Sequence, residues 1–267
     1  MYTVHNQTGR RFVITGSNSG TGKEAAKRIA GAGGSVVMAV RTPEKGEAAR
    51  EEIRRQYPQA DIEVRKVDLA DLASVHSFAS ELIDEGKPID VLVNNAGIGM
   101  LSVFEVTSMD TVREIFETNT FGTMAMTQAV LPQFRLRKAG VIVNVTSGVT
   151  LKPLPLLSVY TASKAAVTAF TESVALELQP FNVRLRLVIP GQAPETHFAR
   201  NAQPRMQGGV SEAYDGFAKS VFAGMGKPSA VTLASDVAEA VWNAANDPTS
   251  PVRIAAGADA VAMAASV

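Results

Sequence analysis

The sequence TGSNSGTG, residues 15 to 22, directly follows the apolar residues FVI, 12 to 14, and places glycines at positions 16, 20 and 22. Such glycines allow a tight turn after a strand, and they let backbone amides approach a pyrophosphate at the amino end of the next helix. We therefore interpret this segment as a nucleotide-binding turn, with a purely structural turn as the alternative. The predicted pyrophosphate-binding residues are Gly16, Ser17, Asn18, Ser19, Gly20, Thr21 and Gly22.

Short apolar runs alternate with longer segments of helical periodicity, which is typical of a parallel sheet covered by helices. Several runs are continuous rather than alternating, as expected for strands that are buried on both faces. The predicted strands are residues 12–15, 36–40, 62–67, 91–94, 141–146, 184–189 and 252–254. The predicted helices are residues 22–32, 44–56, 72–85, 111–136, 159–178 and 235–245.

These elements predict an α/β fold, a doubly wound parallel sheet of the Rossmann type with three α/β/α layers. We expect residues 1–267 to form a single domain, because no Gly/Ser-rich or Pro-rich linker divides them. The pattern changes at residues 190–228, which contain four prolines and no clear period. A long irregular insert in a compact domain is usually functional or mobile, so residues 191–228 are predicted to form a substrate loop or lid.

Composition excludes several classes of function. The 26 basic and 26 acidic side chains balance, which gives no electrostatic case for nucleic acid or an anionic membrane as a partner. The chain has no cysteine, and His5, His76 and His197 are too distant in sequence to suggest a metal cluster. No secretory signal or apolar run of membrane-spanning length is apparent, so we expect a cytoplasmic protein.

The end of the second predicted strand indicates which dinucleotide would bind. In a dinucleotide fold, an acidic side chain at this point hydrogen-bonds the ribose 2′-hydroxyl of NAD, whereas an arginine accepts the 2′-phosphate of NADP. This chain has Val40 at the position of the acid and Arg41 beside it. NADP is therefore favoured, with a solvated loop charge as the alternative interpretation of Arg41.

Tyr160 and Lys164 lie four residues apart on a predicted helix and therefore on one face of it. A nearby cation favours the phenolate, so we expect Lys164 to lower the pKa of Tyr160 and to make the phenol usable as an acid or base near neutral pH. Ser147 ends a predicted strand thirteen residues earlier. Taken alone, the tyrosine and lysine could also be a surface pair on an amphipathic helix.

The glycine spacing, the NNAG segment at residues 94–97, Asn119 in NTFG, and the order of Ser147, Tyr160 and Lys164 together resemble the short-chain dehydrogenase/reductase superfamily. The resemblance covers about residues 10–196. It implies that Asn94 ties strands together and that Asn95, Ala96 and Gly97 pack against the adenosine ribose.

The resemblance also implies further site residues. Asp68 and Leu69 would lie near the adenine, although an aspartate here could equally cap a turn. Asn119 would distort its helix and hold a water that relays protons to Lys164, which would itself also bind the nicotinamide ribose. Asn119 could instead be satisfied locally by a backbone carbonyl. The residues implied to face the nicotinamide are Pro190, Gly191, Ala193 and Thr196.

The function implied is an NADP(H)-dependent oxidoreductase that interconverts an alcohol and a ketone or aldehyde by hydride transfer. Tyr160 would be the general acid/base, Ser147 would hold the substrate oxygen, and Asn119 and Lys164 would complete the catalytic set. The alternative is a catalytically silent NADP-binding sensor or scaffold protein.

The substrate and the assembly are less constrained by the sequence. The loop and the segment after NNAG are rich in large apolar side chains, which predicts an apolar substrate pocket. These side chains are Met100, Leu101, Phe198, Met206, Phe217, Phe222 and Met225. They could equally pack a lid onto the core. We expect a homodimer formed through the helices at residues 111–136 and 159–178, or a homotetramer.

Overall fold

The structure is a computed structural model that describes residues 6–206, 212–224 and 230–266. The described residues form one sheet of seven parallel strands in the order β3-β2-β1-β4-β5-β6-β7. The strands are β1 Arg11–Thr15, β2 Ser35–Val40, β3 Ile62–Lys66, β4 Val91–Asn94, β5 Gly140–Val145, β6 Val183–Pro190 and β7 Arg253–Ala256. This order confirms the predicted doubly wound sheet.

Helices cover both faces of the sheet. The helices of the described residues are α1 Gly20–Gly31, α2 Pro43–Gln56, α3 Leu72–Asp84, α4 Met109–Phe116, α5 Gly122–Arg137, α6 Ser158–Leu178, α7 Phe198–Ala202, α8 Asp215–Gly224, α9 Ala234–Asn246 and α10 Ala258–Ala264. Buried side chains of α1, α2 and α9 pack on one face. Those of α3, α5 and α6 pack on the other, which gives the three predicted layers.

Strand β1 shows why the apolar runs are continuous. Phe12 and Ile14 point into the layer formed by α1, α2 and α9, whereas Val13 points into the opposite layer. Each residue of β1 is buried. A strand between two helical layers has no solvated face, so alternation of polar and apolar residues is lost.

The helix predicted at residues 111–136 is interrupted in the structure. Helix α4 passes into a π-helical turn, Glu117–Phe121, before α5 begins. Asn119 lies inside this turn, where the resemblance implies a distorted helix. A π turn inserts one extra residue into the helical repeat, and such turns often occur at functional sites.

The carboxyl-terminal third contains more helix than the sequence pattern predicts. Residues 190–228 show no clear period, but they include α7 and α8. The pattern predicts β7 as the last regular element, yet α10 follows it. These helices are five, ten and seven residues long. Helices of five or seven residues show too few turns for an apolar period to be recognised.

Part of the predicted loop lies outside the described residues. Met225 is one of the residues that the structure does not describe. For Met206 and Phe222 only the backbone is described. Among the described residues, no helix combines the length and hydrophobicity needed to cross a membrane.

The chain order places a crevice at the carboxyl edge of the sheet. From β1 the chain adds β2 and β3 on one side, and it then returns to add β4 on the other side. Ligands of open α/β sheets bind where the strand order reverses in this way. The glycine turn after β1 and the NNAG segment after β4 both lie at this point.

We expect Phe134→Ala to lower the free energy of unfolding by about 3–5 kcal/mol, because its ring is fully buried in the layer of α3 and α5. Urea denaturation followed by circular dichroism measures the loss. Phe104→Ala is the matched control, since this ring is 61% exposed, and it should change stability by no more than about 0.5 kcal/mol. Equal losses for the two variants would contradict the assigned core.

Candidate active site

The glycine turn is pressed against the segment that follows β4. Gly16 and Gly20 have φ angles of +66° and +54°, which side chains rarely tolerate. A Cβ atom on Gly16 would lie 2.8 Å from the Cα of Ala96, and one on Gly22 would lie 2.6 Å from the carbonyl oxygen of Gly16. Larger residues would therefore force the turn away from the edge of the sheet.

Hydrogen bonds from Asn95 fix this packing. The backbone amides of Asn95 and Ala96 both donate to Thr15 Oγ1 at 3.0 Å. The side chain of Asn95 donates to the carbonyl oxygen of Thr15 at 3.1 Å and accepts from Thr21 Oγ1 at 2.8 Å. The side-chain amide of Asn95 therefore holds the glycine turn, which leaves backbone and neighbouring residues to contact a ribose.

The other residues of the turn differ in what they can offer a ligand. Ser17 is buried, and its hydroxyl donates to the carbonyl oxygen of Ile14 at 2.9 Å. Asn18 and Ser19 are partly exposed, and Ser19 directly precedes the first turn of α1. The free backbone amides at this helix end provide a site for an anionic group.

Arg41 and Val40 lie next to the glycine turn, since Gly16 N donates to the carbonyl oxygen of Ala39 at 2.9 Å. Val40 is buried, and Arg41 is exposed. Within the described residues, the Arg41 side chain makes no hydrogen bond or ion pair. Lys45 is likewise exposed in the first turn of α2.

Asp68 and Leu69 follow β3. One carboxylate oxygen of Asp68 accepts from Ala70 N at 3.0 Å, so the turn-capping role is present. Leu69 is buried, and a Cβ atom on Gly122 would lie 2.7 Å from the Cβ of Leu69. The Leu69 side chain thus packs against the start of α5, and an adenine contact would have to come from its backbone.

Ser147 and Tyr160 meet at the end of β5. The Ser147 hydroxyl is close enough to lower the pKa of the Tyr160 phenol, and Tyr160 is only 6% exposed. Lys164 follows one turn later on α6, where its Nζ donates to the carbonyl oxygen of Val145 at 3.0 Å. The structure therefore brings the three predicted catalytic side chains of β5 and α6 to one edge of the sheet.

Asn119 joins this group through the π turn. Its side-chain amide accepts from Ile98 N at 2.8 Å and donates to Ile98 O at 2.9 Å. A Cβ atom on Gly97 would lie 3.1 Å from Lys164 Nζ and 3.2 Å from Asn119 Oδ1. Asn119 thus holds the segment after NNAG beside the lysine.

The segment predicted to face the nicotinamide begins at Pro190, where β6 ends. Thr196 Oγ1 donates to the carbonyl oxygen of Ala193 at 2.8 Å, so this hydroxyl is engaged locally. A Cβ atom on Gly20 would lie 3.4 Å from the Cβ of Thr196. Residues 190–196 therefore cross from the end of β6, through Gly191, to the glycine turn.

A seam of buried polar side chains continues from the site between α5, α6 and the sheet. Asn94 Nδ2 donates to Thr127 Oγ1 at 3.2 Å and to Asn144 Oδ1 at 2.9 Å. Asn144 Nδ2 donates in turn to Thr171 Oγ1 at 2.8 Å. The expectation that Asn94 ties strands together is confirmed, because Asn144 lies opposite it on β5.

Sequence reasoning missed two features at the mouth of the site. The ring of Phe198, at the start of α7, lies 5.5 Å from the Tyr160 ring between centroids. Leu156 is buried with a φ angle of +66°, and its carbonyl oxygen accepts from Ser102 N at 2.9 Å. No residue pattern marks either contact, since each joins segments distant in sequence.

Residues 10–207 match the family model described as short chain dehydrogenase, which is well over half of the chain. The chain belongs to the short chain dehydrogenase family. Short chain dehydrogenases are oxidoreductases, and the Rossmann fold described above is the fold of the solved members.

Several relatives support this membership. The uncharacterized oxidoreductase YusZ of Bacillus subtilis is 37% identical over 179 residues, which are 67% of this chain and 63% of that protein. The 3-ketodihydrosphingosine reductase of Bacteroides thetaiotaomicron is 33% identical over 211 residues, 79% of this chain and 74% of that protein. A short-chain dehydrogenase structure from Streptomyces avermitilis aligns with a TM-score of 0.81 and 28% identity, over 96% of this chain and 91% of that chain.

Burial sets the protonation of the two central groups of this short chain dehydrogenase. It raises the pKa of Tyr160 to about 12, and the hydrogen bond from Ser147 only partly offsets this effect. It lowers the pKa of Lys164 to about 8. The expectation that Lys164 lowers the pKa of Tyr160 is therefore wrong for this structure, because the loss of solvation dominates.

We expect Lys164→Met to stabilise the folded chain at pH 7 by on the order of 3 kcal/mol, since the variant removes a buried ammonium. Between pH 8 and the ordinary value of 10.5, the unfolded chain holds the lysine proton while the folded chain releases it. The parent therefore gains stability as pH rises through this window, and its difference from the variant shrinks.

Urea denaturation at pH 7, 8, 9 and 10 measures this difference. Lys152→Met, which changes an exposed lysine, is the control and should shift stability by no more than about 0.5 kcal/mol. A difference between parent and Lys164→Met that is absent at pH 7, or that grows with pH, would contradict the assigned burial.

Proposed function

We propose that this short chain dehydrogenase is an NADP(H)-dependent oxidoreductase that interconverts an alcohol and a ketone or aldehyde. The observation that carries the proposal is the convergence of buried Tyr160, Lys164 and Asn119 at the sheet edge where Ser147 ends β5. A buried acid beside a second hydroxyl is what protonation of a substrate oxygen requires.

The residues at the glycine turn fit a dinucleotide. Gly16 and Gly22 bring the turn close to its neighbours, and the backbone amides of the first turn of α1 follow directly. This arrangement suits a pyrophosphate. The proposed contacts are Gly16, Ser17, Asn18, Ser19, Gly20, Thr21 and Gly22 at the pyrophosphate, Asp68, Leu69, Asn95, Ala96 and Gly97 at the adenosine, and Tyr160, Lys164, Pro190, Gly191, Ala193 and Thr196 at the nicotinamide end.

The coenzyme supplies the hydride, and the side chains of the chain manage the proton. A phenol with a pKa of about 12 is protonated at neutral pH, so Tyr160 carries the proton that a carbonyl oxygen would receive. Ser147 donates a hydrogen bond that holds this oxygen. Lys164, with a pKa of about 8, can exchange protons near neutral pH, and Asn119 holds the backbone beside it.

NADP is the preferred coenzyme in this proposal. Arg41 is exposed beside the glycine turn and has no side-chain partner within the described ranges, so its guanidinium is available for a 2′-phosphate. The buried Val40 offers no acidic group to a ribose hydroxyl. Solved structures of this fold hold both NADP and NAD, so the fold alone does not select between them.

We infer an apolar substrate. The ring of Phe198 contacts the Tyr160 ring at an interplanar angle of 54°, and Met100 packs with Ile115 and Val159. Relatives include a 3-ketodihydrosphingosine reductase and an 11-beta-hydroxysteroid dehydrogenase-like protein. These relatives support an apolar ketone or alcohol as the substrate class.

A homodimer would form through α5 and α6, and a homotetramer would need a second interface. A groove of about 350 Å³ runs along these helices, and Phe121, Leu131 and Phe170 are among its lining residues. Phe121 is 46% exposed. Exposed apolar grooves of this kind are often covered by another protein chain.

We expect Tyr160→Phe to lower turnover by about 100-fold to 10,000-fold, because it removes the proton donor and leaves the ring in place. Steady-state reduction of a panel of ketones, aldehydes, quinones and sterols with NADPH measures the effect and identifies the substrate class. NADPH affinity should stay unchanged. Tyr57→Phe is the matched control, and near-parental turnover in Tyr160→Phe would remove the proposed role. A parent that binds NADPH but reduces nothing would support a silent sensor.

We expect Arg41→Ala to weaken NADPH binding by about 10-fold to 100-fold, as lost charge-assisted hydrogen bonds of about 1.5–3 kcal/mol imply. NADH binding should change little, since NADH lacks the 2′-phosphate. Fluorescence titration with each coenzyme measures both constants. Arg55 is an exposed arginine at the far end of α2. The control variant Arg55→Ala should leave the dissociation constants of both NADPH and NADH unchanged. Equal weakening of NADPH and NADH would contradict the phosphate contact.

A further inference from the structure

Helix α10 contacts two strand ends of the proposed site, although it lies outside residues 10–207 that match the family model. We propose that α10 braces the nicotinamide end of the site, with Asp259 as the positioning residue for residues 190–196. The inference rests on the proposed function, because it assigns these residues to the nicotinamide.

The Asp259 carboxylate accepts hydrogen bonds at the start of residues 190–196. Its Oδ2 accepts from the backbone amide of Gln192 at 2.6 Å, and its Oδ1 accepts from Thr232 Oγ1 at 2.6 Å. Both bonds are short and involve a carboxylate, so each is stronger than a neutral hydrogen bond. Asp259 therefore joins α10 to the two segments that flank the end of β6.

The surrounding residues are shaped for this contact. A Cβ atom on Gly191 would overlap the carboxylate of Asp259, and one on Gly257 would overlap the hydroxyl of Thr232. Thr232 is buried, and its Oγ1 accepts from Gly191 N at 2.9 Å. Thr232 N also donates to the carbonyl oxygen of Gln192 at 2.9 Å. Both backbone groups of Gln192 are thus held.

The far end of the segment is also held. Glu195 Oε1 accepts from Ala234 N at 2.6 Å, at the start of α9. Thr196 lies against Gly20 of the glycine turn. With both ends fixed, the position of Ala193 between them depends on the anchor at Asp259.

Met263 places α10 in contact with a second strand end, that of β5. It lies one turn after Asp259 on α10, and therefore on the same face of this helix. A Cβ atom on Gly148 would lie 2.9 Å from Met263 Cε and 3.3 Å from the carbonyl oxygen of Pro190. Gly148 follows Ser147 directly, so one helical face supports both the substrate hydroxyl donor and the nicotinamide segment.

Loss of the Asp259 carboxylate should affect only one half of the coenzyme. Gln192 N would lose its acceptor, and the start of the segment would be held by Thr232 alone, which would itself lose its bond to Asp259. The glycine turn is held separately by Asn95 and Thr15. The pyrophosphate and adenosine contacts should therefore persist.

The test compares NADPH with 2′-phospho-ADP-ribose, which lacks the nicotinamide, as ligands of Asp259→Ala. Calorimetric titration should give a dissociation constant for NADPH weakened by about tenfold and an unchanged constant for 2′-phospho-ADP-ribose. Asp259→Asn retains one acceptor oxygen and should recover part of the NADPH affinity. Asp84→Ala, an exposed acid at the end of α3, should leave both constants unchanged.

Either of two results would overturn the inference: equal weakening of both ligands, or NADPH affinity in Asp259→Ala that equals the parental value. If Asp259→Ala does not fold, Asp259→Asn and Met263→Ala provide the same ratio of the two constants. A parent that binds neither NADPH nor 2′-phospho-ADP-ribose would refute the proposed function. A parent that binds both, with Asp259 variants that weaken both equally or neither, would refute only the inference about Asp259.

Discussion

The close packing of the glycine turn against the segment after β4 is the constraint on which the site depends. Two positions without side chains, Gly16 and Gly22, let the turn lie directly on Asn95 and Ala96. Hydrogen bonds to Thr15 then hold both segments at the edge of the sheet. Because the carboxyl ends of parallel strands meet at one edge, this contact fixes the phosphate end relative to the strands that carry the chemistry.

The chemical end of the site is built with buried polar groups rather than with exposed ones. Lys164 is 4% exposed, and Asn119 and Asn144 are fully buried. Such groups cost stability unless they find partners, and most of them find backbone or side-chain partners in the seam between α5 and α6. Lys164 donates to the carbonyl oxygen of Val145, yet burial of its charge still depresses its pKa. Burial of Lys164 therefore lowers the stability of the fold, and it also gives the site a group that can change protonation near neutral pH.

The sheet could be predicted from the sequence because strands such as β1 are apolar on both faces. The tight turn after β1 could be predicted because glycines at positions 16, 20 and 22 stand between a strand and a helix. The i, i+4 relation of Tyr160 and Lys164 likewise follows from helical geometry alone.

Other properties depend on tertiary structure. The pKa of Tyr160 reflects a balance between burial and hydrogen bonding that no spacing reveals. The contact of Asp259 with Gln192 joins residues 67 positions apart. The π turn at Asn119 differs from an ordinary helix by one residue, which leaves the apolar period almost unchanged.

The exposed position of Arg41 has a consequence for the conditions under which the enzyme works. An attraction between a guanidinium and a phosphate that acts partly through solvent is screened by dissolved ions, over a Debye length of about 8 Å at physiological ionic strength. Discrimination between phosphorylated and unphosphorylated coenzymes would then weaken as salt concentration rises. Coenzyme choice in this chain would be a property of the surrounding electrolyte as well as of the amino-acid sequence.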